Sequence, residues 1–315
     1  MTIDPRIEKS FGVHQSLGWL VAKQSAASPR HVPFLSRRFL ASSEDELRLC
    51  DSIAQQIIQL ADHEIDAFFA GYDFICDIQK REEIYFRRHD SYRLKSVSAA
   101  VEEVYGNREY MQNYMRGLLM TQVFWSNHSA SIDFFLKDFL AENKQDYDLL
   151  EVGPGHGLLF SRAATDPRAR SIAGWDLSAA SVAETREALR RLGVNRPYTL
   201  EVRDLLESHR DDSRFDAVVF SEVLEHLEEP ERALDSIMSI LRPGGRVYIN
   251  VPINSPAPDH LFLMRSPEEA VSFVEKRGFE IERTGFFPAT NYTLASARKH
   301  SITISTCIVA TKPRA

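Results

Sequence analysis

Apolar residues return at helical spacing through the first part of the chain. From Asp45 to Phe69, residues Leu49, Ile53, Ile57, Leu60 and Ile65 fall along one stripe, which predicts an amphipathic helix. Ser43 followed three residues later by Glu46 is a capping box that starts it. Further helical stretches are AAVEEVYG and the long run from Asn107 to Leu140, which is expected to break into two helices near WSNHS, where weak helix formers follow one another. Residues 1–42 lack a clear period and read as an extended or partly helical arm.

Near residue 145 the pattern changes. Short apolar runs (DLLEVG, SIAGWDL, YTLEVRD, FDAVVFSE, GRVYINVP, FEIERTGF and ITISTCIVATK) alternate with helical stretches such as SAASVAETREALRRLG. Such alternation predicts an α/β fold, a doubly wound and mostly parallel seven-stranded sheet. The last two runs have no long helix between them, so the final strand is expected to be antiparallel. Ser266-Pro267-Glu268-Glu269 starts another helix, with Ser as N-cap and Pro in the first turn. The expected division is a helical region over 1–144, a lid that shapes a substrate pocket, and a sheet domain over 145–315.

Composition narrows the picture. With 43% hydrophobic residues the chain can bury a sizeable core, and the net charge of −7 is spread without a basic stripe, which argues against a nucleic-acid surface. Cys50, Cys76 and Cys307 form no CxxC pair, so neither a disulfide framework nor a thiolate metal site is indicated and a reducing cytoplasm is expected. The first residues do not read as a signal peptide, and no apolar run reaches membrane-spanning length.

The loop after the first apolar run reads Glu151-Val-Gly153-Pro-Gly155-His-Gly157. It lacks the Gly-Lys-Ser/Thr of a phosphate loop, and residues 158 and 160 are Leu and Phe where a dinucleotide fingerprint needs Gly. LLEVGPGHG, GWDLS with Asp176, RDLLE with Asp204, FSEVLEHLEEPERAL and LRPGGRVYINVP follow in order. In that order the chain resembles the class I (Rossmann-like) S-adenosylmethionine (SAM)-dependent methyltransferases over residues 145–315. The resemblance implies SAM as cofactor. It implies that Gly153, Gly155 and Gly157 let the backbone approach SAM, with Glu151 near its amino end. Asp176 would hold the ribose hydroxyls, with Leu177 flanking the adenine and Asp204 accepting from its amino group; Leu205 and Ser221 complete the cofactor side. A site at the carboxyl ends of the strands is the general expectation for open α/β sheets.

Methyl transfer needs alignment, desolvation and sometimes a base. Glu222 and His226 in SEVLEH are the first catalytic candidates, with Glu225 beside them. In some relatives a similar cluster binds a divalent metal, with Asp259 and His260 able to complete it, but the plain reading is a structural element at the cofactor's edge, and no metal is expected. Tyr110, Asn127 and His128 come next, on helices just before the first strand, where they can line the pocket. Phe287, Asn291, Tyr292 and His300, in the loop between the last two strands, can border the acceptor. The expected function is methylation of a small molecule, in natural-product biosynthesis. A SAM-consuming cyclase or lyase resembling azetidine-2-carboxylate synthases, and a non-catalytic SAM-binding subunit, stay open. Expected partners are the small molecule or SAM itself, with no nucleic acid or membrane; a homodimer or carrier-protein contact also stays open.

Overall fold

A computed structural model describes residues 11–207 and 214–314. The chain begins with helices α1 (Gln15–Ala27), α2 (Val32–Leu40), α3 (Glu44–Ala61) and α4 (Ile65–His89). Residues 15–27 and 29–40 are therefore helical, the second of the two alternatives for this arm; residues 1–10 of it lie outside the described residues. Leu17, Leu20, Val21 and Gln24 of α1 are buried at helical spacing, but the buried member Gln24 is polar, which hides the stripe in the sequence. At the start of α3, Ser43 Oγ accepts from the Glu46 N–H. The other half of the capping box is replaced by an ion pair between the Glu46 carboxylate and Arg38 at 2.7 Å.

A short helix α5 (Val97–Ala100) continues as a π-helical turn over Val101–Tyr105. It leads into α6 (Arg108–Phe124) and α7 (Ser126–Phe134), broken at Trp125. Asn127, Ser129 and Ser131 of α7 are polar and buried; Asn127 donates to Ser305 Oγ at 3.0 Å, and Ser131 donates to Asn127 O. Helices α4 and α6 touch at Gly71 and Gly117, where a Cβ on Gly117 would lie 2.3 Å from Gly71 O. That close approach pins α6 to the helical cluster.

The sheet strands are β1 (Tyr147–Val152), β2 (Ala169–Asp176), β3 (Thr199–Val202), β4 (Phe215–Ser221), β5 (Leu241–Ile253), β6 (Glu280–Pro288) and β7 (Ile304–Thr311). Their spatial order is β3-β2-β1-β4-β5-β7-β6. β1 pairs in parallel with both β2 and β4, whereas β7 is antiparallel to β5 and β6. Helices α8 (Leu158–Ala164), α9 (Ala179–Arg191), α10 (Pro230–Ile240), α11 (Pro267–Lys276) and α12 (Leu294–His300) connect the strands. The residues between β6 and β7 thus include a seven-residue helix. All six residues of β1 are buried, as expected for a strand covered on both faces. Strand order reverses between β1 and β4, so the crevice beyond their carboxyl ends is the topological switch point where such sheets bind ligands.

Candidate functional site

A single continuous cavity of about 1440 Å³ opens at that switch point. It exceeds the roughly 300–1,000 Å³ of ordinary ligand pockets, enough for two ligands side by side. One wall is the sheet edge; the opposite wall is α6, which presents Arg108, Met111, Met115, Leu118 and Gln122, spaced to share one helix face.

At the end of β1, Gly153 has φ +67°, and a Cβ there would lie 2.9 Å from Val223 Cγ2. The left-handed backbone and the absent side chain leave the cradle open. Glu151 is buried, its Oε2 has no partner, and burial alone pushes its carboxyl up to about 8. A buried carboxyl without a donor marks a place for a donor from a ligand.

Asp176, at the end of β2, is held in place by two serines: Ser178 N donates to Oδ1 at 2.9 Å and Ser181 Oγ to Oδ2 at 2.6 Å. Leu177 beside it is 66% exposed and lines the cavity, a free apolar surface for a flat ring. Trp175 also borders the cavity but is 1% exposed, with the Arg203 guanidinium 4.0 Å from its ring centroid and Phe215 edge-on. Asp204 accepts from Leu206 N at 2.7 Å, and Asp204, Leu205 and Ser221 all line the cavity. The glycine cradle, an oriented carboxylate and an orphaned acid fit the phosphate-free, cationic SAM.

Beyond Ser221 the chain turns sharply. Glu222 has φ +53° and precedes a 3₁₀ turn over Leu224–His226, so Glu222 and Glu225, three residues apart, do not sit on one helical turn. Both carboxyls are buried and pushed up, Glu225 further because Glu222 adds its charge. The Glu225 carbonyl accepts from Leu261 N and Phe262 N, and this brings Asp259 and His260 into the site. Asp259 Oδ2 accepts from Tyr105 at 3.2 Å and Oδ1 from Tyr114 at 3.3 Å. His226 Nδ1 lies 3.0 Å from the Asp259 carbonyl. The nearest side-chain donor atoms of Glu225, His226 and His260 all lie within 4.8 Å of one another, a set able to hold a small cation.

At the other end, burial holds His128 and His156 down to about 4, hence neutral. His128 lines the cavity and its Nδ1 meets Thr121 Oγ1 at 2.9 Å. Tyr110 and Asn127 are not among the lining residues: Tyr110 packs on Phe74 and Tyr114, and Asn127 bonds Ser305. Phe287, Asn291, Tyr292 and His300 also lie off the cavity, which β6, α12 and their turn do not border. Residue spacing alone missed Tyr105 and Tyr114 as partners of Asp259, because those contacts span 154 and 145 residues.

A family model described as a methyltransferase domain matches residues 124–290, just over half of the chain. The chain belongs to the class I SAM-dependent methyltransferases. Its match begins in α6 and takes in the methyltransferase cradle and the Glu222–His260 region. Among curated relatives, the ubiquinone biosynthesis O-methyltransferase of Alkalilimnicola ehrlichii is 31% identical over 129 residues, covering 41% of this chain and 50% of that protein. The protein of the same name from Aeromonas salmonicida is 29% identical, covering 41% and 52%. The chain thus spans about half the length of the curated relatives it matches. A crystal structure of a SAM-dependent methyltransferase from Methanosarcina mazei is similar at a TM-score of 0.47, with 16% identity, covering 57% of this chain and 98% of that one. No described helix of this methyltransferase is long and apolar enough to cross a membrane.

Proposed function

We propose that this chain methylates a small molecule that enters the cavity beside SAM. The observation that carries the reading is the single 1440 Å³ space running from the glycine cradle to Glu222 and His226 beneath α6. It has room for a second small ligand beside SAM. The curated relatives, by name, methylate in ubiquinone biosynthesis, which supports a small acceptor; we extend the proposal to an acceptor in natural-product biosynthesis.

SAM when bound supplies an electrophilic methyl, and S-adenosylhomocysteine leaves as the C–S bond breaks. Asp176 holds the ribose and the Gly153 backbone seats the amino-acid end. The Asp259 carbonyl can only accept, so His226 keeps its proton on Nδ1 and presents Nε2 as a lone pair. His226 Nε2 then takes the acceptor's proton as the new bond to methyl forms. The apolar face of α6 excludes water around the nucleophile.

Glu151 favours a second reading. An unpartnered carboxyl pushed up to about 8 beside the cradle is, once ionised, a base strong enough to take the proton that self-cyclisation of SAM, with release of methylthioadenosine, must remove from the SAM ammonium. One experiment separates the two. Incubation with SAM and a panel of small amines, phenols and alcohols, followed by mass spectrometry, is expected to yield S-adenosylhomocysteine with an acceptor and nothing with SAM alone. Methylthioadenosine from SAM alone would replace the first reading with the second. A protein that binds no SAM would remove both.

A further inference from the structure

We propose that the end of the cavity beneath α7, away from His226, is a subsite for an uncharged, unreacting hydroxyl group of the acceptor. The hydroxyl donates to His128 Nε2, and the His156 Nε2–H donates back to the ligand's oxygen. That this ligand is the acceptor rests on the methyl-transfer reading; the subsite itself rests on the side chains of that wall.

The partners of each ring fix its tautomer. Thr121 Oγ1 lies 2.7 Å from Leu118 O and 2.9 Å from His128 Nδ1. Two oxygens that close share a proton, so the single hydroxyl proton of Thr121 goes to Leu118 O, and Thr121 Oγ1 accepts from the His128 Nδ1–H. Gln122 Nε2, 3.3 Å from the same ring nitrogen, has Leu118 O at 3.3 Å as its acceptor. The neutral His128 ring therefore presents a lone pair on Nε2. His156 is the converse: its Nδ1 accepts from Leu158 N at 3.3 Å, so its proton sits on Nε2. Neither Nε2 has a hydrogen-bond partner among the described residues. Both residues line the cavity and are part-exposed, and neither Nε2 is among the sealed atoms without a partner, so both nitrogens open onto the cavity. The wall thus offers one acceptor and one donor, the complement of a hydroxyl.

The surroundings of the two rings carry no charge. Burial, followed by the neighbouring His156, holds His128 neutral down to about 4, and burial alone does the same for His156. Glu151, also on the cavity wall, keeps its proton up to about 8. The cationic side chains lining the cavity, among the described residues, are Arg108 and Arg203. Arg203 lies over Trp175 and Arg108 interacts with Glu184, both on the cofactor side. An ammonium or a carboxylate seated beside His128 would give up its hydration without a counter-ion, whereas an alcohol or phenol exchanges water for two neutral hydrogen bonds. The rest of the wall suits the hydrocarbon that bears the hydroxyl. Trp125 packs edge-on against His128 at 5.1 Å, and its Nε1 already donates to the Tyr72 hydroxyl at 3.3 Å, so it offers ring surface alone. Ile132, four residues after His128 and on the same helix face, and Leu118 also line the cavity.

The test uses the full chain at neutral pH with S-adenosylhomocysteine bound. Calorimetry compares 2-phenylethanol with its methyl ether, which accepts but cannot donate, and with phenethylamine and phenylacetate. The alcohol is expected to bind at least about tenfold tighter than each of the other three. His128→Phe keeps a ring and removes the lone pair, and is expected to bring alcohol and ether to within about twofold. His128→Gln, whose amide oxygen reaches the place of Nε2, is expected to keep the preference. In wild type with isotope-labelled histidine, the alcohol is expected to move the His128 Nε2 resonance, which a purely structural histidine would not show. Circular dichroism checks the fold, and His156→Phe reads the donor half where His128→Phe fails to fold. An alcohol bound no tighter than the ether or the two ions, no alcohol binding up to millimolar concentration, or a preference that survives the phenylalanine variants would overturn the proposal. So would a loss of S-adenosylhomocysteine affinity in His128→Phe as large as the loss for the alcohol, which would assign this wall to the cofactor. Failure of S-adenosylhomocysteine to bind wild type would strike the methyl-transfer reading instead, while alcohol titration of the free protein would still read the subsite.

Discussion

Replacing Glu151 by glutamine keeps the shape of the strand end and removes a charge that the fold must suppress. In the folded protein this carboxyl is 4% exposed and holds its proton up to about 8; in the unfolded chain it ionises near the ordinary 4.5. Between those values the unfolded state has released a proton that the folded state still binds. Stability from this group is therefore complete below pH 4.5 and is lost as pH rises through 8. The slope is about 1.4 kcal/mol per pH unit, so the loss across the window is on the order of 4 kcal/mol. His128, His156 and His260, held neutral down to about 4, act in the opposite direction below their ordinary range. They are common to both proteins and cancel in the difference. Urea unfolding of wild type and Glu151→Gln at pH 5 and pH 8.5, without SAM, reads the effect directly. The variant is expected to gain stability relative to wild type as pH rises, by several kcal/mol, and saturating SAM is expected to shrink the gap by giving the ionised carboxylate a cationic partner. A difference that does not change with pH would refute the assignment of Glu151 as a buried, unpartnered acid.

Other expectations follow from particular contacts. Gly153→Ala places a Cβ against Val223 at a left-handed position; calorimetry should show at least about tenfold weaker SAM binding, with a stability cost of about 1–2 kcal/mol. Gly117→Ala forces α6 away from α4, where Gly71 O lies 2.3 Å from the new Cβ. Overpacking there should cost about 1–3 kcal/mol in a urea melt and weaken ligand binding, because α6 forms the cavity wall. Tyr114→Phe leaves Asp259 Oδ1 without its buried donor and should cost about 1–3 kcal/mol, read as a lower melting temperature.

The sheet was legible because its strands are short apolar runs separated by helices, and the antiparallel β7 because no long helix stands between it and β6, only the seven-residue α12. The cradle was legible because Gly153, Asp176 and Asp204 each sit at a strand end, where local sequence and position in the fold coincide. Helix α1 was not, since its buried stripe includes Gln24. The acceptor end was only half legible. Glu222, Glu225 and His226 are neighbours in sequence, but Tyr105, Tyr114, Asp259 and His260 reach them from distant segments, joined by the Glu225 carbonyl and two tyrosine hydroxyls. The helical spacing of Arg108, Met111, Met115, Leu118 and Gln122 was available as a signal that α6 turns one face to the cavity; Tyr114 lines it as well, whereas Tyr110, one turn earlier, does not. Asn127 has the polarity of a site residue and the burial of a core one.

In the proposed function SAM sits in the cradle with its ribose on Asp176. Titration of S-adenosylhomocysteine into wild type and Asp176→Asn tests it most directly, since Ser178 and Ser181 hold that carboxylate in place. One-to-one binding to wild type is expected, with a loss of at least about tenfold in the variant and little change in the melting curve of the free protein. Equal affinity in the two proteins, or no binding to wild type, would contradict it.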